Sequence, residues 1–343
     1  MRYIGIIILL VLCLTMLSLT GCKGNTVDSE TAGEKLKIQE NAEESEIWSG
    51  LGMVLYSSQA SYVDTLLANG FTELRIDIPD YQNTSWLASS KAILPGIIAK
   101  GVKVIWGVSS NNYNNEDYTI TAENWPIFRQ AILDAAQWAQ DNGVYEFQLG
   151  NEEEFHVDGG TMSGIQIITN LKSVATDVQA IFTNGKISYT CAYDYIPNWI
   201  SVGKGDIDIL ACNIYMGGDG YYGNNKWKSD ITKLVNAFGA DGTYITEFNL
   251  SWSSLDDYST DEEIQAAALT EMIEYIKTSC MTRAFYYTWK SDEFGVVKDD
   301  GTYRLLWSQA LLNSGSVKFA TVPTKTTTIS LPDTMALIPK ITR

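Results

Sequence analysis

Apolar and polar positions along the chain alternate between short apolar runs and longer amphipathic stretches. Short runs rich in β-branched and aromatic residues, bounded by Gly or Asn, predict buried strands, and apolar residues at three-four spacing predict helices. On this basis we predict strands over 51–55, 71–78, 102–108, 144–149, 187–192, 207–215, 244–247 and 283–289. Helices are predicted over 60–68, 86–99, 125–141, 163–183, 226–238, 261–279 and 303–313.

Regular alternation of strands and helices is typical of α/β proteins with a parallel sheet. Eight such units over about 250 residues match a (β/α)8 TIM barrel. An open doubly wound sheet is the alternative, although that fold has no need of eight even repeats. We therefore expect an α/β domain, a (β/α)8 TIM barrel, over 47–315, and a tail over 316–343 that fits no repeat.

The amino-terminal segment differs from the rest of the chain. A short basic start precedes a nearly continuous apolar run, and positions 19–22 read Leu-Thr-Gly-Cys, which resembles the cleavage box of bacterial lipoproteins. We expect a lipoprotein signal peptide over 1–22, cleavage before Cys22, attachment of lipid such as palmitate to that residue, and anchoring at the cell surface. An ordinary signal peptide or one membrane helix is the alternative, but the run is short for a span. Residues 23–46 are polar and aperiodic and predict a flexible tether.

The charge balance narrows the choice of partners. The chain has 24 Lys and Arg residues against 41 Asp and Glu, for a formal net charge of −17. This argues against nucleic acid and anionic membrane surfaces, so membrane contact is expected only through the lipid anchor. His156 is the one histidine, which excludes a zinc site built on several histidines and a Ser-His-Asp triad that does not use it. We expect neither a metal nor a cofactor.

The cysteines do not predict a disulfide framework. Cys13 lies in the predicted signal peptide and Cys22 at its end, which leaves Cys191, Cys212 and Cys280. Three is an odd number, and each of these residues lies in or beside a predicted strand, as inert core thiols do. A bridge between Cys191 and Cys212 is the alternative.

Two of the predicted strands end in a glutamate. The run at 144–150 is followed by Asn151 and Glu152, and the run at 244–246 is followed by Glu247. A carboxylate at the carboxyl end of a buried parallel strand is costly to desolvate and therefore suggests a function. Since β-α units take roughly 30 residues, about three units separate the two glutamates. We expect Glu152 and Glu247 to face each other across the mouth of the barrel.

These positions carry a resemblance to a known family. Over roughly 48–312 the chain resembles the retaining glycoside hydrolases of clan A, a (β/α)8 group that includes cellulases, mannanases and xylanases. In that clan the glutamate of an Asn-Glu pair ending strand four is the acid/base, and a glutamate ending strand seven is the nucleophile. Asn151, Glu152 and Glu247 match this pattern. Further matches are Arg75 in strand two, Tyr215 ending strand six and Trp289 ending strand eight.

The resemblance implies double displacement on a β-linked glycan. Glu247 would attack the anomeric carbon and Glu152 would protonate the leaving oxygen, with the two carboxyl groups about 5 Å apart. The supporting roles implied are ionisation of the nucleophile by Arg75 and Tyr215, binding of the sugar 2-hydroxyl by Asn151, and a floor under the sugar ring formed by Trp289. Aromatic residues in the loop at 215–227 and near other strand ends, namely Trp106, Tyr113 and Trp252, favour a polysaccharide substrate.

Each of these residues also has a structural interpretation. Arg75 would otherwise pair with Asp77 on the same strand face, and Tyr215 and Trp289 would otherwise be core aromatics. Glu153 and Glu154 predict the solvated start of a helix and not catalytic groups.

The chain also departs from the cellulase-like pattern. Where those enzymes usually carry histidines at the ends of strands three and six, this sequence has Ser-Ser-Asn at 109–111 and Asn213, and Glu153 replaces a common proline. No specific family is therefore assigned. The competing functions are a catalytically inactive glycan-binding barrel, a lipoprotein solute receptor, and a metal-dependent hydrolase using Asp77, Glu152 and Glu247. We expect the protein to be a monomer.

Overall fold

The computed structural model describes residues 50–110, 120–156, 161–216, 226–250, 262–292 and 294–312. In these ranges eight parallel strands close into a barrel in chain order, and β8 pairs with β1. The strands are β1 Gly50–Leu55, β2 Glu73–Ile76, β3 Lys103–Gly107, β4 Glu146–Asn151, β5 Lys186–Cys191, β6 Ile209–Met216, β7 Ile245–Leu250 and β8 Arg283–Tyr286. The α/β class and the (β/α)8 TIM barrel predicted from sequence are confirmed.

Helices surround the barrel between the strands. They are α1 Val63–Ala68, α2 Thr84–Ile98, α3 Trp125–Asp141, α4 Gly164–Ile181, α5 Ile196–Val202, α6 Lys226–Phe238, α7 Glu262–Thr278 and α8 Leu305–Leu312. The bounds of α3 and α6 coincide with the predicted ones because clear sequence signals mark them. In α4 the side chain of Ser163 accepts a hydrogen bond from the Gln166 backbone amide, and the Gln166 side chain caps in return, which fixes the start of the helix.

Several predictions fall outside the described residues. They are the signal peptide (1–22) with Cys22, the tether (23–46), the tail (316–343), Tyr113, Trp252 and most of the loop after β6 (217–225). Among the helices that the structure describes, none is both long and apolar enough to cross a membrane. The described residues form a closed barrel and not the two hinged lobes expected of a solute receptor.

Alternate residues of a strand serve different layers. In β2, Leu74 and Ile76 join the large apolar layer between strands and helices. Glu73 and Arg75 instead reach side chains of other strands across the barrel interior. This division follows from the two-residue period of a strand, and it places the charged residues of β2 inside the ring.

The amino end of the barrel is closed by an ion cluster. Arg283 of β8 contacts Glu146 of β4 and lies 3.0 Å from Glu73 of β2. The Tyr244 hydroxyl donates to Glu146 at 2.6 Å, and Lys103 lies 3.0 Å from Glu73. Because buried charges are tolerated only when paired, this cluster joins strands that are distant in sequence.

Most predicted bounds differ from the observed ones by one to three residues, and a physical cause is evident at two strand ends and one helix. β7 continues to Leu250, since its last residues pair with β6 up to Met216. β8 ends at Tyr286 and not at 289, because the Thr288 hydroxyl instead donates to the Val54 carbonyl at 2.6 Å. The sequence analysis missed α5, which at seven residues is too short for a helical period to be evident.

Candidate active site

Arg75 organises the carboxyl ends of the strands, which form the barrel mouth. Its Nη1 lies 2.5 Å from Glu247 Oε1, its Nε donates to Gln148 Oε1 at 2.8 Å, and its Nη2 donates to Asn151 Oδ1 at 2.8 Å. Its side chain is 2% exposed. Arg75 therefore joins β2 to β4 and β7, and the guanidinium has the fixed orientation that several acceptors impose.

Asp77 does not form the ion pair with Arg75 that the sequence analysis considered as the alternative. Its Oδ1 accepts from the Ser57 backbone amide at 2.9 Å, and its Oδ2 accepts from Trp86 Nε1 at 2.8 Å. Burial raises the pKa of Asp77 to about 6, against the opposing effect of these hydrogen bonds. Asp77 thus orients Trp86.

Glu247 has a donor on each oxygen. Arg75 holds Oε1, and the Tyr215 hydroxyl donates to Oε2 at 2.5 Å. Burial, together with the Glu247 charge, raises the pKa of Tyr215 well above its usual value, so this hydroxyl stays a donor. The Glu247 side chain is 13% exposed, and both contacts stabilise a negative charge on a carboxylate that solvent and ligand can still reach.

The surroundings of Glu152 have the opposite effect and favour the neutral form of its carboxyl group. Burial raises its pKa to about 8, the charges of Glu247 and Glu154 add to this effect, and a hydrogen bond with Asn213 opposes it. A carboxyl group in this state carries its proton at neutral pH. Because the Glu247 charge acts on Glu152, the two side chains lie at the same barrel mouth. The separation of about 5 Å between their carboxyl groups remains a prediction.

The backbone of Glu152 is strained. Its φ of 57° and ψ of 35° lie in the left-handed region, which costs a non-glycine residue about 1–2 kcal/mol. Its amide donates to the Thr190 carbonyl of β5 at 2.8 Å. Such a conformation persists only where the surroundings hold it in place, and it is frequent at functional sites.

Asn213 links the two glutamates. It is the register partner of Glu247 between β6 and β7. Its Nδ2 donates to Asn151 Oδ1 at 3.3 Å, its Oδ1 accepts from the Thr246 hydroxyl at 2.8 Å, and its side chain also bonds Glu152. Sequence analysis noted Asn213 only as a departure from a family pattern, because its partners come from strands that are distant in the chain.

A cavity of about 290 Å³ opens at the barrel mouth beside these residues. It extends towards the ends of β1 to β3, and half-buried Trp86 contributes to its wall with the indole N–H fixed by Asp77. The hydroxyls of Tyr56 and Tyr287 hydrogen-bond to each other across it. The lining residues are Val54, Tyr56, Arg75, Asp77, Ile78, Trp86, Ser109, Asn151, Glu247 and Tyr287.

The structure contradicts the expectation that Trp289 lies under a bound sugar ring. Its side chain is 0% exposed, and its ring packs against Tyr62 and Tyr303 with centroids 6.5 and 6.2 Å away. Tyr287 lines the cavity instead. The error came from extending β8 too far, because the strand ends at Tyr286 and the next residue is the one that faces the mouth.

Glu153 and Glu154 also differ from prediction, since they are 0% exposed and not solvated. Burial raises the pKa of both carboxyl groups to about 7, and hydrogen bonds oppose that effect. They belong to a short 3-10 turn, Glu153–Phe155. Three consecutive acidic residues suggest an exposed segment, but hydrogen-bond donors from distant parts of the chain allow Glu153 and Glu154 to be buried.

None of the remaining sequence candidates that the structure describes lines the cavity. Cys280, expected to be an inert core thiol, is instead disulfide-bonded. Trp106 is fully buried and donates from Nε1 to Ser90 at 2.8 Å. Cys191 and Cys212 are buried free thiols on paired positions of β5 and β6, so the bridge considered as an alternative is not formed. Burial lowers the pKa of His156. In the part of the chain that the structure describes, no three His, Cys, Asp or Glu side chains are grouped to share a metal ion, the trio of Asp77, Glu152 and Glu247 included.

Comparison with known proteins gives a likeness in fold alone. No family model matches the sequence, and no curated protein matches it. A family 5 xyloglucanase from Paenibacillus pabuli, solved with a ligand, matches with a TM-score of 0.57 and 15% identity over 77% of this chain and 98% of that one. A GH113 β-1,4-mannanase matches with a TM-score of 0.55 and 12% identity over 77% and 97%.

The catalytic domain of the major endoglucanase from Xanthomonas campestris also matches, with a TM-score of 0.57 and 12% identity over 79% of this chain and 94% of that one. This chain has the fold of glycoside hydrolases. The neighbours include the clan A families that the sequence resembles. At these sequence identities no residue role is transferred to this chain, and the roles proposed below rest on the geometry of its own side chains.

Proposed function

We propose that this protein is a retaining glycoside hydrolase that cleaves a β-linked polysaccharide or oligosaccharide by double displacement. The observation that carries the proposal is the contrast between two carboxyl groups at one barrel mouth. Glu247 is held by two donors that favour its charge, whereas the pKa of Glu152 is raised to about 8. Such a separation of ionisation states is the arrangement that a nucleophile and a general acid require.

In the first step the Glu247 carboxylate attacks the anomeric carbon. A glycosyl ester forms as the bond to the leaving oxygen breaks, and the Glu152 proton moves to that oxygen. Arg75 and Tyr215 orient the attacking carboxylate while its negative charge is lost in forming the ester. Glu152 ends this step as a carboxylate.

In the second step water attacks the ester. As the water oxygen bonds to the anomeric carbon, Glu152 takes a proton from the water and the bond between that carbon and Glu247 breaks. Two inversions give net retention, and both carboxyl groups return to their starting states.

Substrate binding is proposed for the residues around the cavity. Asn151 accepts from Arg75 and Asn213 through Oδ1, so we propose that its amide nitrogen is the end that contacts the sugar 2-hydroxyl. The Trp86 ring and Tyr287 supply aromatic surface of the kind that packs on sugar faces. In this proposal Tyr287 takes the place that sequence analysis gave to Trp289.

The test compares native protein and Glu247→Ala on β-glucan, mannan, xylan and galactan. We expect the variant to lose several orders of magnitude in turnover, because it lacks the carboxylate that forms the ester. Azide or formate should restore part of the rate on an activated aryl glycoside by replacing the missing carboxylate. Equal turnover in both proteins, with both folded by circular dichroism, would refute the mechanism, and turnover of none of the glycans by the native protein would favour the inactive glycan-binding barrel.

We further propose that the chain is a lipoprotein held at the cell surface through Cys22. The support is the sequence at 19–22 and the polar segment that follows it.

A further inference from the structure

The reaction proposed above does not use Glu153, although this carboxylate is completely buried one residue after the acid. Burying a carboxylate is costly unless hydrogen bonds compensate for the lost hydration. The contacts of Glu153 therefore indicate what the residue does.

Glu153 receives its hydrogen bonds from two places. The Ser109 hydroxyl donates to Oε1 at 2.8 Å, and Ser110 donates through its backbone amide at 3.2 Å and through its hydroxyl to Oε2. These serines follow the end of β3. The Asn151 backbone amide donates to Oε1 at 2.9 Å, which fastens the residue immediately before Glu152.

The Asn151 amide needs this partner because the ladder is interrupted there. The register between β4 and β5 shifts between Gln148 and Asn151, so the end of β4 departs from regular pairing. Glu153 supplies the acceptor and ties the end of β4 back to β3. The chain makes room for it at Gly150, where a Cβ atom would lie 2.7 Å from Glu153 Oε1.

The following residue holds the other side of the same turn. Glu154 accepts from the Tyr189 hydroxyl at 2.7 Å and from Trp199 Nε1. The same tyrosine oxygen accepts from the Glu153 backbone amide at 2.9 Å. Glu152 is thus the left-handed residue of a turn whose neighbours are fixed towards β3 on one side and towards β5 and α5 on the other.

We propose that Glu153 is a positioning residue that holds Glu152 in its left-handed conformation, so that the Glu152 proton is directed at the glycosidic oxygen. This inference rests on the proposed function. Four donors converge on the two Glu153 oxygens, and two of them are the backbone amides of Asn151 and Ser110, which cannot accept in return. A glutamine in either orientation would present an N–H group to one of these two amides, so the turn would shift.

The experiment measures how the rate depends on the leaving group. The substrates are aryl β-glycosides of the sugar selected by the glycan panel, with phenols from strongly to weakly acidic. Departure of a strongly acidic phenol needs little protonation, whereas departure of a weakly acidic one needs the acid. For Glu153→Gln we expect kcat/KM within about threefold of native on the best leaving group and lower by about 100-fold on the poorest.

Three variants calibrate this result. Glu152→Ala removes the acid itself and should show the same dependence in stronger form. Glu146→Gln changes another buried carboxylate of the same strand at the opposite end of the barrel, and it should lower stability without changing the dependence on leaving group. Ser110→Ala removes one donor to Glu153 and should act in the same direction as Glu153→Gln but more weakly.

The outcomes separate this inference from the function on which it rests. If Glu152→Ala shows the leaving-group dependence and folded Glu153→Gln loses rate equally on every substrate, or loses none, the inference is overturned and the proposed function stands. If Glu153→Gln does not fold, Ser110→Ala decides in the same way. If Glu152→Ala shows no dependence, the acid role itself fails.

Discussion

Glu152 and Glu247 carry the same functional group, and their surroundings alone set them apart. Glu247 receives hydrogen bonds from Arg75 and Tyr215, which favour the charged form. Desolvation of Glu152 and the nearby charge of Glu247 favour the neutral form of its carboxyl group. In the proposed function, a few fixed dipoles and charges are what give the two carboxyl groups distinct chemical roles.

This separation predicts a pH dependence. A group whose pKa is raised to about 8 carries its proton below that pH and loses it above. Because Glu152 must be protonated to act as the acid, kcat/KM should be constant towards neutral pH and fall as pH rises through about 8. The pH profile of kcat/KM, which reports the free enzyme, checks this expectation.

A matched variant shows which group causes the fall. Glu152→Gln cannot titrate at this position, so its small remaining rate on an activated aryl glycoside should not fall at that pH. A profile for the native protein that stays flat to pH 9.5 or so, well above the raised pKa, would contradict the role given to Glu152.

Sequence reasoning was most successful for residues whose chemistry follows from strand ends. It placed Glu152 and Glu247 together at the barrel mouth, the family resemblance added Arg75 and Tyr215, and the structure brings these four side chains together. It failed for Glu153 and Glu154, because a one-dimensional pattern treats carboxylates as hydrated. Their burial depends on donors such as Ser110 and Trp199, which are some 40 positions away.

At the scale of single elements, the largest strand errors lie at carboxyl ends, three residues each for β7 and β8, whereas no predicted start is off by more than two. A strand ends where its neighbour stops pairing, and the local sequence does not contain that information. The end of β8 shows the consequence, since a prediction three residues too long assigned the aromatic role to Trp289 and not to Tyr287. Helices with marked ends, α3 and α6, were predicted with the correct bounds.

The ion cluster at the amino end of the barrel makes a prediction at this scale. Arg283 contacts both Glu73 and Glu146 and lies over the Tyr244 ring, 4.2 Å from its centroid. Arg283→Met would leave the buried Glu146 without a cation and Glu73 with Lys103 alone, so we expect the free energy of unfolding to fall by about 3–5 kcal/mol. Urea denaturation measures this change.

The control for that variant restores the charge balance. Adding Glu73→Gln and Glu146→Gln to Arg283→Met should recover much of the lost stability, because no unpaired buried charge then remains. kcat/KM of the folded single variant should stay close to native, since the cluster is at the end of the barrel opposite the mouth. An Arg283→Met variant with native stability and lost activity would contradict the view that the ion cluster supports stability and the opposite end of the barrel supports activity.

At the scale of the whole molecule, the chain combines a barrel with an acidic surface and a predicted lipid at Cys22. Lipid attachment contributes about 0.8 kcal/mol of membrane affinity per buried CH2, so loss of the acyl chains should release the protein. For Cys22→Ala expressed in a bacterium we expect no incorporation of labelled palmitate and partition into the aqueous phase of a Triton X-114 extraction. A Cys22→Ala protein that stays in the detergent phase would indicate an uncleaved membrane segment instead.

The guanidinium of Arg75 has a wider consequence for how the molecule is assembled. Its acceptors are Gln148, Asn151 and Glu247, which the chain supplies from its fourth and seventh strands, whereas Arg75 itself belongs to the second. No half of the polypeptide contains all of these groups, so a fragment that regains its helices still lacks a competent centre. Under the proposed function, turnover should therefore report complete ring closure, and after dilution from urea we expect it to recover later than the helical circular dichroism signal.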